Sequence, residues 1–264
     1  MYPNLFGLPF LHSYGLMIAL GVMASLWFLK RICRRTGRCY DDVVNLVMLM
    51  LLAGLVGART WHVVEFWDSE FAGRPFSDVF KLWSGGLVFH GGLVAACLVL
   101  PVWCRVKKTS FLETADLLAT ILPLAHGFGR VGCFLFGCCY GVHLADDAPL
   151  AWLQVTFPAH AGAAGAEGMP VLPTQLFEAG ALFLFFVALY RLHRRCAQAR
   201  PGLVAGVYLL GSAVIRFAVE FLRDDPRSMF GALSIGQVTS VALALCALPF
   251  LLRRGGGAQG NRSS

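Results

Sequence analysis

The stretch HGFGRVGCFLFGCCYG, from His126 to Gly141, carries one fixed positive charge, Arg130, among glycines, aromatics and three cysteines, Cys133, Cys138 and Cys139. A guanidinium stays ionised in apolar surroundings and grips phosphate or carboxylate through two parallel N–H bonds. Arg59 in GART and Arg216 in VIRFAVEFLR also lie inside apolar runs. A charge at bilayer depth costs at least ~2.5–3.5 kcal/mol, so each arginine must face protein, water or a ligand. Arg216, Glu220 and Arg223 follow one another at spacings of four and three and share a helix face. An ion pair holding helices together and an anion site both satisfy that pattern. Arg59 is expected either to snorkel toward an interface or to join the same cluster.

His90, in WSGGLVFHGGLVAA, is bracketed by Gly85–Gly86 and Gly91–Gly92, which let a lipid or a helix approach the backbone closely. A lone histidine in such a run is more often a packed core residue. Beside three intramembrane arginines, a neutral imidazole that accepts a proton becomes the alternative. HSYGLM adds His12 and Tyr14, the latter readable by itself as part of an interfacial aromatic belt. The spacing of Cys133, Cys138 and Cys139 lacks the paired CxxC of a structural zinc site. His126 and His143 lie near enough in sequence to complete four ligands, but packing is the expectation and no metal is assigned. On an oxidising side, a disulfide from Cys133 to Cys138 or Cys139 is compatible with the spacing, whereas a vicinal one would be strained. Cys33, Cys39, Cys97, Cys104, Cys196 and Cys246 are scattered and read as small hydrophobes.

These residues need a membrane scaffold. Of the 264 residues 57% are hydrophobic and only 14% charged, and mean hydropathy is +0.66. A soluble domain could not bury that much apolar surface. Seven apolar runs, near 12–29, 43–66, 86–104, 115–136, 174–190, 203–222 and 232–252, predict an all-α, seven-transmembrane helix bundle forming one domain over 1–254. The fourth contains Pro123 and the fifth is short. No removable signal peptide is expected, because the first run lacks a basic leader. Residues 255–264 read as a disordered cytoplasmic tail, and 137–173 as a small external cap without Lys or Arg.

Charge sets the expected orientation. Lys30, Arg31, Arg34, Arg35 and Arg38 follow the first run, and Arg105, Lys107 and Lys108 the third. Arg191, Arg194, Arg195 and Arg200 follow the fifth, and Arg253, Arg254 and Arg262 the seventh, so 15 of the 22 basic residues lie on one side. The opposite loops hold only Arg74, Lys81, Arg223 and Arg227. The positive-inside rule then places the N-terminus outside and the C-terminus in the cytoplasm, a parity that requires an odd number of spans. The net charge of +7 sits at the ends of apolar runs, which argues against a nucleic-acid partner.

The ordered set HSYGLM, WSGGLVFHGGL, GRVGCFLFGCCYG, PTQLFE, IRFAVEFLRDD and SIGQ resembles the prolipoprotein diacylglyceryl transferase family over nearly the whole chain. The resemblance implies transfer of a diacylglyceryl group from phosphatidylglycerol, a membrane lipid, to the lipobox cysteine of a prolipoprotein. The reaction needs no cofactor or metal and belongs to the bacterial inner membrane. It implies His90, Tyr14, Arg216 and Glu220 as catalytic residues. Arg130 would bind phosphatidylglycerol, with Gly141 closing the same signature and Arg59 joining the lipid-binding group. The chain departs from the family pattern at Cys133, Phe136, Cys138, Leu172 and Ser212, positions usually held by asparagine, asparagine, glutamate, histidine and tyrosine. Two alternatives use the same residues: a transmembrane thiol oxidoreductase built on Cys133, Cys138 and Cys139, and an anion transporter built on the arginines.

Overall fold

The computed structural model describes residues 13–81, 85–145, 147–158, 168–197, 199–224, 229–230 and 233–253. His12, Trp83 and Ser84, the middle of the cap and the tail after residue 254 lie outside the described residues. Among the described residues seven α-helices are long and apolar enough to cross a membrane: α1 (Ser13–Thr36), α2 (Tyr40–Glu65), α3 (Phe89–Val106), α4 (Phe111–Phe136), α5 (Thr174–Cys196), α6 (Leu203–Glu220) and α7 (Ile235–Leu252). They coincide with the seven apolar runs. Helices α1 and α5 continue beyond those runs into Lys30–Arg35 and Arg191–Arg195. Hydropathy marks the bilayer, not the helix end, and lysine and arginine are good helix formers. Helix α4 also passes through Pro123 without interruption.

The chain divides into two compact units, with boundaries inside α1 and α4. One unit, Lys30–Thr114, is built on the pair α2 and α3. Glycine makes that pairing tight. A Cβ on Gly57 would lie 2.6 Å from the Gly91 carbonyl oxygen, one on Gly91 2.5 Å from that of Gly57, and one on Gly92 2.9 Å from that of Gly54. Without lipid-excluding side chains the backbones touch, which is how membrane helices gain packing energy where the hydrophobic effect is absent.

The connection from α2 to α3 contains a π-helical turn, Trp67–Phe71, and a 3₁₀ turn, Phe76–Phe80. Arg59 organises it from the last turns of α2. Its Nε donates to the Val79 carbonyl (2.7 Å), NH2 to that of Asp78 (2.9 Å), and NH1 to those of Gly85 (2.8 Å) and Gly86 (3.1 Å). The guanidinium also lies over the Phe71 ring. Beside it the buried His62 ring meets Glu70 at 3.1 Å. Gly86 has φ +77, and a Cβ there would press on the His62 ring and lie 2.8 Å from Arg59 NH1.

The other unit comprises residues up to Leu29 and from Ala115 onward. Its central element is α4, the most buried of the seven spans. Gly127 receives the Phe183 ring of α5, and Gly132 receives the Tyr14 ring of α1. The buried Asp116 carboxylate accepts from the Gly202 and Ala205 N–H groups at 2.7 and 2.8 Å, so it closes the N-terminus of α6. An anion there satisfies orphan donors and complements the helix dipole. After α4, strand β1 (Val155–Thr156) pairs antiparallel with β2 (Pro170–Val171) over a small cluster of Tyr140, Phe157 and Val171. A second two-residue hairpin, β3 (Met229–Phe230) with β4 (Leu233–Ser234), leads into α7.

Gly91→Leu is expected to split the α2–α3 pair, lowering stability in detergent by roughly 1–3 kcal/mol through overpacking. Gly15→Ala, where an added Cβ meets nothing within 4 Å, is the control. Equal melting of the two variants would mean that the glycine contact does not hold this pair.

Candidate active site

Glu178 is the centre of a chain of alternating charges. It lies on the first turns of α5 and its side chain is only 3% exposed. One oxygen, Oε1, is 3.1 Å from Arg130 Nε on α4, and the other, Oε2, is 3.8 Å from Arg216 NH1 on α6. Arg216 turns its NH2 to Glu220 Oε2 at 2.7 Å, one helical turn away. Glu220 Oε1 accepts from the Ser234 hydroxyl at 2.6 Å. Ser234 in turn caps α7, accepting from the Gln237 N–H while the Gln237 side chain accepts from the Ser234 N–H. Gly236 makes room for this contact, because a Cβ there would lie 2.7 Å from Glu220 Oε2.

The arrangement leaves anion-binding capacity. Arg130 meets Glu178 through Nε, and among the described residues no hydrogen bond occupies its NH1 or NH2. Arg223 adds a third positive charge within electrostatic reach of Arg130 and Arg216. Arg130 and Arg216 are held by Glu178 and Glu220 on neighbouring helices. His126, one turn before Arg130 on α4, places Nε2 3.8 Å from Glu178 Oε1. Tyr14 belongs to the same unit, its ring against Gly132 between Arg130 and Cys133.

Comparison with known proteins supplies the family. The sequence model of prolipoprotein diacylglyceryl transferase matches residues 3–253. The chain belongs to this family. It is 34% identical over 243 residues to a phosphatidylglycerol–prolipoprotein diacylglyceryl transferase 2 of Clostridium perfringens, covering 92% of this chain and 90% of that protein. It is 32% identical over 251 residues to the corresponding transferase of Pasteurella multocida, covering 92% and 87%.

Within this diacylglyceryl transferase family member, the residues expected from sequence divide into two groups. Tyr14, Arg130, Arg216 and Glu220 lie in one unit, and the last three belong to the charge chain centred on Glu178. His90 and Arg59 lie in the unit Lys30–Thr114. His90 is the exposed second residue of α3, its ring edge-on to Phe89. Arg59 acts as a clamp on the backbone in that unit. Its donors are committed to four backbone carbonyls, so it holds the α2–α3 connection. Gly141 lies in the other unit. Its N–H donates to the Leu172 carbonyl, it bridges to Arg223, and a Cβ would lie 2.5 Å from Thr174 Cγ2 and 2.6 Å from the Leu222 oxygen. Three chain segments meet there and leave room only for glycine.

Among the departures from the family pattern, Leu172 is buried, with its backbone bonded to Gly141 and Val142. Ser212 stands one turn before Arg216 on α6. Cys133 and Cys138 enter a group of three thiols with Cys139, all free, whose sulfurs lie within 4.8 Å of one another. The Cys139 thiol is drawn below the ordinary range by hydrogen bonds from Cys133 and Cys138, while sharing with Cys133 and Cys139 pushes the Cys138 thiol up.

Glu178 was not singled out by sequence reasoning, although PTQLFE contains it. The available signal was that it is the only charged residue between 174 and 190. Glu178→Gln should remove the shared carboxylate and leave Arg130 and Arg216 facing each other. Breaking a buried pair of this kind costs about 3–5 kcal/mol. Thermal unfolding in detergent measures the loss, and a wild-type midpoint would show that Glu178 does not hold the arginines.

Proposed function

We propose that this chain transfers the diacylglyceryl group of phosphatidylglycerol to the lipobox cysteine of prolipoproteins and releases glycerol phosphate. The observation that carries the reading is the chain Arg130–Glu178–Arg216–Glu220, in a family whose named members have this activity. A phosphodiester bears one negative charge, and guanidiniums recognise phosphate oxygens through paired N–H donors. As the glyceryl C–O bond breaks, charge grows on the departing phosphate oxygens. Guanidiniums fixed beforehand by carboxylates stabilise that charge without reorganising. Glu178 and Glu220 act as positioning residues, and Tyr14 hydrogen-bonds the headgroup from α1.

The attacking group is the substrate's own thiol. Its sulfur forms the new S–C bond, and the lost proton goes to His90 as general base. The displaced electron pair leaves with the phosphate. This chemistry assigns no covalent role to Cys133, Cys138 or Cys139 and needs no cofactor. The relatives' names lend no support to a thiol oxidoreductase or an anion transporter. We assign the chain to the bacterial cytoplasmic membrane with its N-terminus outside, the orientation that presents the second, fourth and sixth loops to exported substrates.

Purified protein with phosphatidylglycerol and a lipobox peptide should add one diacylglyceryl mass to the peptide. Arg130→Lys should abolish this, because an ammonium keeps the charge but not the planar fork. His90→Gln should bind lipid yet transfer ~10²–10⁴-fold more slowly, and recover in part as pH approaches the peptide thiol's pKa near ~8.5. No product from wild-type protein overturns the function. Normal transfer by Arg130→Lys removes Arg130 from phosphate recognition, and a loss in His90→Gln that pH does not relieve removes His90 as base.

Reporter fusions after residues 38, 108 and 197 are expected to report cytoplasm, and fusions near 75, 155 and 226 the exterior. The reverse pattern would leave the proposed site on the wrong face for a secreted substrate.

A further inference from the structure

The thiol group formed by Cys133, Cys138 and Cys139 plays no part in the reaction above, yet the fold goes to some length to assemble it. Cys133 lies in the last turns of α4, whose end is closed by hydrogen bonds from Gly137 and Cys138 N–H to the Cys133 carbonyl. Gly137 then turns the chain with φ +96, and Cys139 itself adopts φ +62. That conformation is costly for a residue with a Cβ, of order 1–3 kcal/mol, and persists only where surroundings enforce it. The enforcing groups are on α5. Buried Thr174 donates its hydroxyl to the Cys139 carbonyl at 2.9 Å, and buried Gln175 donates Nε2 to that of Cys138 at 2.7 Å. Both backbone carbonyls are thereby held, and the three side chains converge with every sulfur within 4.8 Å of the other two.

We propose that Cys133, Cys138 and Cys139 form a three-thiolate site for a soft, thiophilic cation such as Zn²⁺ or Cu⁺. A disulfide uses two sulfurs at about 2.05 Å and leaves the third idle. A mutual triangle is instead what a metal requires: with Zn–S bonds of ~2.3 Å, tetrahedral sulfurs stand about 3.8 Å apart, within reach of small side-chain rotations here. Thiolate ligands select Zn²⁺ and Cu⁺ over the harder divalent ions. Three thiolates around a dication carry one net negative charge, and Arg130 and Arg223 lie within electrostatic reach of Cys139 to offset it. The fourth position is left to water. Bound there, the ion would fasten the end of α4 to the loop leading into Gly141, and loading would release thiol protons. Arg130 borders both this site and the proposed phosphate site, and cation binding does not depend on the transferase reaction.

The test uses the full-length chain in detergent, reduced, desalted and titrated with Cd²⁺, with the thiolate-to-cadmium charge-transfer absorption as readout and Zn²⁺ as competitor. Two variants separate these thiols from the other six: Cys133→Ser with Cys138→Ser and Cys139→Ser, and a chain in which Cys33, Cys39, Cys97, Cys104, Cys196 and Cys246 are all changed to Ala. Wild type and the six-alanine chain should each bind one cadmium that zinc displaces, and the triple-serine chain none. Equal binding by the triple-serine chain overturns the proposal, as does absence of binding by both wild type and the six-alanine chain. A reduced wild type that takes up no cadmium and closes a disulfide among the three thiols on air oxidation would also overturn it, as a redox pair instead.

Discussion

The Glu178 carboxylate is the contact on which the charged centre depends. Arginine cannot shed its charge, so Arg130 and Arg216 can occupy apolar helices only if a counter-ion is fixed between them. One acid on α5 serves both, one oxygen toward each. That sharing ties α4, α5 and α6 together through a polar contact, and Glu220 with Ser234 extends it to the start of α7. A buried pair is weak evidence for net stability, since desolvation offsets much of the attraction. What it secures is position. Glu178 fixes the Arg130 guanidinium through its Nε edge.

Close packing around this polar chain comes from glycine. Gly127, Gly132 and Gly236 admit the Phe183 ring, the Tyr14 ring and the Glu220 carboxylate respectively, each at a distance a methyl group would block. Without water to drive helices together, such approaches supply the dispersion energy and the short polar contacts that membrane packing needs. The same logic in the other unit lets α2 and α3 touch backbone to backbone.

Arg59 and Arg130 illustrate how one residue type serves two ends. Both are intramembrane arginines by sequence. Arg59 spends its fork on the carbonyls of Asp78, Val79, Gly85 and Gly86, and so orders the segment preceding His90. Arg130 meets its counter-ion, the Glu178 carboxylate, through Nε. Composition cannot distinguish them, because the difference lies in which groups the fold brings alongside.

The seven spans were legible from the sequence because hydropathy and length report directly on the solvent a segment requires. The pairing of Arg216 with Glu220 was legible because i,i+4 neighbours meet on any helix. The family followed from motifs in order along the chain. Other features needed the tertiary structure, since they join residues far apart in sequence. Glu178 reaches Arg130 across 48 positions, and Asp116 caps a helix that begins 87 residues later. Gly141 and Arg59 read as lipid-binding residues in sequence, and their backbone partners became visible only when separate segments met. For the three cysteines, spacing gave no metal pattern, because the triangle arises from positive φ angles at Gly137 and Cys139 and from hydrogen bonds out of α5. Local periodicity determines helices, whereas counter-ions and convergent side chains depend on which helices become neighbours.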